Sequence, residues 1–226
     1  MRGSSSLSTL LQLVLMPLPW SLRRPVLNGM LGFRIDKAAR VGFSLLRADQ
    51  VSMAPGACIG HLNMFKNIAM LKLAAHAHIG NLNWVSGIIE QDTPFFHGVP
   101  RLSMLQIDEH SSVTNRHYLD CIDKIHIGAF TTVAGFRSQI LTHSLDLKEA
   151  RQSCAPVSIG RYCFVGTGAI ILGGASLADH CVLAAGSMLR SAETQEYCLL
   201  SGVPAVKVRD LERDWKYFQR TDGFIF

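Results

Sequence analysis

From Ile159 the chain is written in blocks of six: IGRYCF, VGTGAI, ILGGAS, LADHCV and LAAGSM. Each block opens on an aliphatic residue (Ile159, Val165, Ile171, Leu177, Leu183). Each carries a small residue in fifth place (Cys163, Ala169, Ala175, Cys181, Ser187). A helix needs apolar residues three and four apart, and a half-buried strand alternates by two. A period of six fits a short strand and a tight turn, with the opening aliphatic side chain pointing inward. Three blocks close one triangular coil of about eighteen residues, and stacked coils bury a continuous apolar column. Successive coils pair through parallel backbone hydrogen bonds, so open edges remain only at the two ends.

The same period runs upstream with interruptions. Ile35, Val41, Met53, Ile59, Phe65 and Leu71 keep one phase, and Ile79 and Val85 follow after a slip of two. Ile107, Val113, Leu119 and Ile125 resume it, and Ile127 and Val133 continue after a second slip of two. The prism is therefore expected over 35–208. Residues 86–106, with Pro94, Phe95, Phe96 and Pro100, break the period as a loop or disturbed coil. Residues 145–158 break it again with a polar excursion; such excursions cost little on a surface and are often functional.

Two segments lie outside the prism. Residues 1–34 are apolar and then basic, broken by Pro17, Pro19 and Pro25. They are expected to be helical, and two readings stay open: a cap on the first coil, or an interfacial helix in which 7–33 leans on a membrane. Leu7–Trp20 is too short to span a bilayer and lacks the features of a secretory signal. Residues 209–226 are expected to form a short helical tail closing the last coil.

Composition narrows the class. Of 226 residues, 48% are hydrophobic and 17% charged, which excludes a disordered chain. The six cysteines show no CxxC pair and read as small buried residues in a reducing compartment, which points to the cytoplasm. The formal charge of +5 suits phosphate-bearing partners, but no basic stripe with interleaved aromatics points to nucleic acid.

Chemistry is expected where the repeat rule is violated. His143 fills a fifth place, which otherwise takes a small residue, immediately before the 145–158 loop. It is either a solvent-facing histidine at a loop edge or a general base, for which a neutral imidazole is suited. Asp123 lies twenty residues earlier, also in a fifth place. One coil plus the slip of two would put it beneath His143, where a carboxylate orients an imidazole; the alternative is a surface aspartate. His117 breaks the rule on another face. With Asn115 and Arg116 it is a candidate for binding an acceptor across a subunit boundary.

The stretch LTHSLDLKEARQSCAPVSIGRYCFVGTGAIILGGASLADHCVLAAGSMLR, followed by SGVPAVKVRDL, resembles the acetyl-CoA-dependent hexapeptide acyltransferases. The resemblance is to the branch of galactoside, maltose and polysaccharide-modifying O-acetyltransferases. It covers roughly 107–211 and the earlier coils only as a repeat. It implies an all-β, left-handed parallel β-helix, an exception to the usual crossover handedness. It also implies His143 as general base, with Asp146 and Arg151 in the following loop on the acceptor side; Ser144 departs from the proline often found there. Phe164 would flank the pantetheine arm, the backbone amide of Thr167 would face the thioester oxygen, and Ala185, Gly186 and Ser187 would allow close approach by the coenzyme. The turn Gly202, Pro204, Ala205 would lie near the adenine. Val206 departs from the basic residue usual after it, which leaves Lys207 and Arg209 as candidates for the phosphates.

The function so implied is transfer of an acetyl group from acetyl-CoA to a hydroxyl of a sugar, glycolipid or polysaccharide precursor. It would be carried out by a cytoplasmic homotrimer, placed in one reading at the inner face of the membrane, with no metal. Two other classes compete with it: a non-catalytic β-helix scaffold, and a zinc enzyme of carbonic-anhydrase type. The zinc site needs three convergent histidines, whose spacing is missing here.

Overall fold

The computed structural model describes residues 5–89, 93, 95, 96 and 98–225. The expectation placed on Pro94 lies outside them. The inward residues of the repeat build a parallel β-helix with three faces. Face I begins at Arg34–Ile35, face II at Arg40–Val41, and face III at the start of Leu45–Met53. Every coil repeats the order I, II, III. Each face is a ladder of parallel pairs, for example Ser158 on Ser176 on face I, Phe164 on Val182 on face II and Ile170 on Met188 on face III. In the first two coils a single bent strand, Leu45–Met53 or Met64–Leu73, runs from face III into face I without a corner.

The aliphatic residues chosen from the period are the core. Ile35, Val41, Ile59, Phe65, Leu71, Ile79, Val85, Ile107, Val113, Leu119, Ile127, Val133, Ile159, Val165, Ile171, Leu177 and Leu183 all belong to one buried cluster. Burying each such side chain contributes about 1.5–3 kcal/mol. The slips of two have a structural cause. Face I strands bury two residues two apart, Leu71 with Leu73, Leu105 with Ile107, Ile125 with Ile127 and Val157 with Ile159. The face is wider there, and the phase of six shifts by one inward pair.

The first coil has no coil beneath it, and two helices fill that place: α1 (Ser5–Leu15) and α2 (Trp20–Leu31). Side chains supply the missing backbone partners. Gln12 accepts from the Leu46 N–H at 2.8 Å and donates to its carbonyl at 3.1 Å. Asn28 does the same for Ile35, at 3.1 and 3.0 Å. The Arg23 guanidinium donates to Gly42 O at 3.1 Å. Each face thus receives from the two helices one side chain that takes the place of a strand partner. Gln12 and Arg23 are buried, and removing such a partner leaves orphaned edge groups at about 1–3 kcal/mol each.

The far end differs from expectation. Ala205–Asp210 is an antiparallel strand on Cys198–Gly202, so strand structure crosses the expected boundary at 208. Among the described residues the only helix of the tail is one turn, α3 (Lys216–Gln219). After it the chain does not close the last coil but runs back along the I/II edge. There, turn residues with positive φ form a stack of rings: His76, His110, Phe130, Tyr162, His180 and Tyr197, with successive centroids 4.3–5.4 Å apart. The left-handed turn conformation is costly for bulky residues, and stacking offsets that cost. The tail seals the ladder: Phe218 is buried against His180 and Tyr197, and the Arg220 guanidinium lies 3.9 Å from the Tyr217 ring.

Candidate active site

Both interruptions of the period leave the prism at the III/I edge. The first runs from Gly87 to Ser103, between the strands Trp84–Ser86 and Met104–Ile107. The second is a two-stranded hairpin, His143–Asp146 against Arg151–Cys154, and it begins at His143 itself. Between them the corner Cys121–Lys124 turns without insertion. The III/I edge is therefore a notch with a loop on either side, and His143 stands in it.

Thr142 fixes the local register. Its hydroxyl donates to Asp120 O at 2.7 Å and accepts from the Asp123 N–H at 2.9 Å. This brings the carboxylate of Asp120, not that of Asp123, against the imidazole. His143 Nδ1 hydrogen-bonds Asp120 Oδ2, and the same oxygen faces the His143 N–H at 3.4 Å. Asp120 is 2% exposed at its side chain and His143 40%, so a buried carboxylate orients a ring that reaches solvent. The hydrogen bond to Asp120 raises the His143 pKa, partial burial opposes this, and the charge of Asp120 adds to the rise. Nδ1 is thereby engaged as a donor, and Nε2 has no partner among the described residues. Asp123 serves elsewhere. Its Oδ1 accepts from Leu102 N at 3.1 Å and Lys124 N at 2.7 Å, anchoring the first inserted loop.

The hairpin residues differ in accessibility. Asp146 Oδ1 accepts from the N–H groups of Lys148 and Glu149, both at 3.1 Å, so its carboxylate shapes the turn. Arg151 is opposite it in register and exposed. The buried Arg101 guanidinium holds the other loop, donating to Ile88 O at 2.6 Å and lying 5.1 Å from the ring of buried Phe96.

The remaining sequence candidates lie elsewhere. Asn115, Arg116, His117 and Thr167 all sit on the II/III edge, across face III from His143. That edge contains an internal polar ladder of Ser44, Asn63, Asn83, His117 and Ser138. His117 is buried within it. Nδ1 accepts from Ser138 N at 3.1 Å, and Nε2 faces Thr114 Oγ1 at 3.0 Å. Burial pushes its pKa down to about 4, so it is a neutral ladder residue and not an exposed acceptor contact. Asn115 Oδ1 accepts from Asn81 N at 2.7 Å, and Arg116 is exposed. Ser187 is buried and accepts from Gly202 N at 3.1 Å, which removes it from the surface.

The same edge holds an open track. The corner position with positive φ is Leu62, Leu82, Arg116 and Arg137 in earlier coils, but Gly168 and Gly186 in the later ones. A side chain added at either glycine would enter empty space. Thr167 and Ala185 are exposed beside them, and the Thr167 N–H has no acceptor among the described residues. Exposed Gly202 and Pro204, with partly covered Ala205, form the turn at the far end. Phe164 is half-buried on face II, edge-on to Tyr217 with centroids 6.1 Å apart. Lys207 Nζ is 2.7 Å from Asp210 Oδ1, and Arg209 lies 5.4 Å from the Trp215 ring, so the tail already engages both cations. The residues missed by sequence reasoning are Asp120 and the exposed pair Phe136–Arg137 above Thr167. Counting inward residues from Leu119 to Ile140 would have found Asp120. Among the described residues no group of three or more His, Cys, Asp or Glu is placed to hold a metal ion.

Comparison with known proteins matches this architecture. A family profile described as the hexapeptide repeat of succinyl-transferase matches residues 156–191. No curated protein sequence matches the chain. Among solved structures, the polysialic acid O-acetyltransferase OatWY superposes with a TM-score of 0.57 at 17% identity, over 82% of this chain and 90% of that one. A point mutant of AntD, an N-acyltransferase from Bacillus cereus, in complex with dTDP-4-amino-4,6-dideoxyglucose and coenzyme A, superposes with a TM-score of 0.51 at 14% identity, over 77% of this chain and 84% of that one. At these identities the likeness speaks for the fold.

Proposed function

We propose, from the left-handed parallel β-helix built on the hexapeptide repeat, that the chain transfers an acetyl group from acetyl-CoA to a hydroxyl of a sugar or polysaccharide precursor, with His143 as general base. The observation that carries the reading is the His143–Asp120 pair in a notch between two inserted loops. Further support comes from the O-acetyltransferase and the sugar N-acyltransferase that share the fold.

Asp120 holds the proton on Nδ1, which leaves the Nε2 lone pair facing solvent. Nε2 takes the proton of the acceptor hydroxyl as its oxygen attacks the thioester carbonyl. The tetrahedral oxyanion accepts a hydrogen bond from a backbone N–H, for which Thr167 is the candidate. Collapse forms the ester and breaks the carbon–sulfur bond, and the thiolate leaves with the proton from Nε2. Asp120 stabilises the imidazolium in between. No covalent acyl-enzyme is formed.

Acetyl-CoA fits the II/III edge: the Gly168–Gly186 track leaves room for the pantetheine arm, and Thr167 stands at its upper end. In one chain His143 and Thr167 occupy opposite edges of face III, so the reaction centre requires two chains. A homotrimer about an axis along the prism keeps heights equal and brings the III/I edge of one copy to the II/III edge of the next. Phe136, Arg137, Asn115 and Arg116 of the neighbour would then border the acceptor, together with Arg151. We place the enzyme in the cytoplasm, where acetyl-CoA is supplied.

The test is thiol release from acetyl-CoA across a panel of sugar and polysaccharide acceptors, comparing wild type with His143→Ala. Full activity in the variant would remove His143 as base. Absence of both turnover and acetyl-CoA binding would point to a scaffold.

A further inference from the structure

The cap has a second, outward side. α1 presents apolar residues on both sides: Leu11 and Leu15 pack on the prism, whereas Leu7, Leu10, Leu13 and Val14 are 47–64% exposed beside the exposed Ser6. In α2, Leu22 and Met30 are 56% and 69% exposed. A helix that serves only as a plug carries polar residues on its solvent side.

Charge separates along the chain in the same place. Residues 1–50 hold seven Lys and Arg against two Asp, whereas 51–226 hold fifteen cations and fifteen carboxylates. The net charge of +5 therefore comes from residues 1–50, and six of their seven cations lie among the described residues of the cap and first coil. Arg34, Lys37 and Arg40 are exposed there, and no described carboxylate lies within ion-pair distance of them. Beside α1 lies a cleft of about 340 Å³, lined by Ser6, Thr9, Leu10, Leu13 and Arg47. It joins two hydroxyl-bearing residues and a guanidinium to two leucines, a chemistry that accepts a phosphodiester with an acyl chain alongside.

We propose that this end of the prism docks on an anionic bilayer, with the outward leucines in the interfacial layer and the cations of the first coil on the headgroups. Apolar surface and basic charge combine in this way in helices that lie in the membrane plane. No described helix is long and apolar enough to cross a membrane, and the proposed contact is with the surface. It is independent of the acyl-transfer reading.

Sedimentation of the full chain with vesicles tests it. Wild type should pellet with vesicles containing phosphatidylglycerol and far less with phosphatidylcholine alone, and added salt should release it. Arg34→Gln with Lys37→Gln should weaken binding roughly 25-fold, at about fivefold per charge. Leu10→Ser with Val14→Ser should abolish pelleting on either vesicle while the melting temperature is kept. If that pair lowers it, Leu22→Ser with Met30→Ser makes the same test on α2. Three results would overturn the proposal. One is wild type that stays in solution with both vesicles. Another is a concentration-dependent increase in mass that Leu10→Ser with Val14→Ser relieves, which assigns the face to a second copy. The last is complete release by millimolar inorganic phosphate at constant ionic strength, which assigns the cleft to a small anion.

Discussion

The I/II and III/I edges of the prism are built from the same repeat and put to different uses. Along I/II every coil from His76 to Tyr197 contributes a ring to one stack, and the tail covers its length. Along III/I two insertions interrupt the coils, and between them a buried carboxylate holds a histidine that faces solvent. A solenoid couples each repeat mainly to its neighbours, so one edge tolerates interruption while another keeps the coils in register. The difference teaches that regularity supplies stability here and that its interruption creates room for chemistry.

The sharpest way to break this contrast is at His143. His143→Ala should lower the acetylation rate by roughly 10²–10⁴-fold with little change in melting temperature, because the side chain stands in a notch and supports no coil. A comparable loss of stability, read by thermal denaturation, would make the III/I edge structural too.

Phe218→Ala is the converse test. Removing this buried ring from the ladder should cost about 3–5 kcal/mol, seen as a lower denaturation midpoint, with the activity of the folded fraction retained.

Asp120→Asn lies between the two. It should reduce kcat, by at most about 10⁴-fold, through loss of the imidazole's orientation. It should also move the acid limb of kcat/KM to lower pH, since Asp120 raises the His143 pKa in the native protein. The sign for stability follows. A raised folded-state pKa stabilises the protein at pH below the ordinary histidine value, and that contribution is lost as pH rises through the raised value. The melting-temperature difference between wild type and Asp120→Asn should therefore be larger at pH 5 than at pH 9. The reverse order would refute the pairing.

The smallest effect is expected for Tyr162→Phe. It keeps the stacked ring and loses only the hydroxyl's bond to Arg220 O at 3.1 Å, worth about 1 kcal/mol, without effect on catalysis.

How much was legible before the structure varied with the range of the physics involved. Inward aliphatics repeat every sixth residue because one coil imposes its geometry on the next, so Ile159 to Leu183 could be read locally. His143 stood out because counting in sixes from Val133 puts an imidazole in a fifth place, although the structure opens that block on Ile140. Its partner was missed by the period alone, because Val133 to Ile140 spans seven residues where Val113 to Leu119 spans six, one extra residue at the II/III corner. Counting twenty residues gave Asp123, whereas Ile140 lies on Leu119 and brings Asp120 to the ring. His117 violated the same rule, yet its ring serves the internal ladder. A violation marks a buried polar group as readily as an exposed one.

The period of six, read alone, determined the prism, its core and the places where it is interrupted, because those follow from local turn geometry and from burial. Tertiary structure alone decided which carboxylate meets His143, which edge carries the open glycine track, and that Gln12, Arg23 and Asn28 close the open end. It also decided that the tail straps the ring ladder instead of closing the last coil. These are contacts between residues distant in sequence, and only the stacking of coils on a continuous core brings them within hydrogen-bonding distance.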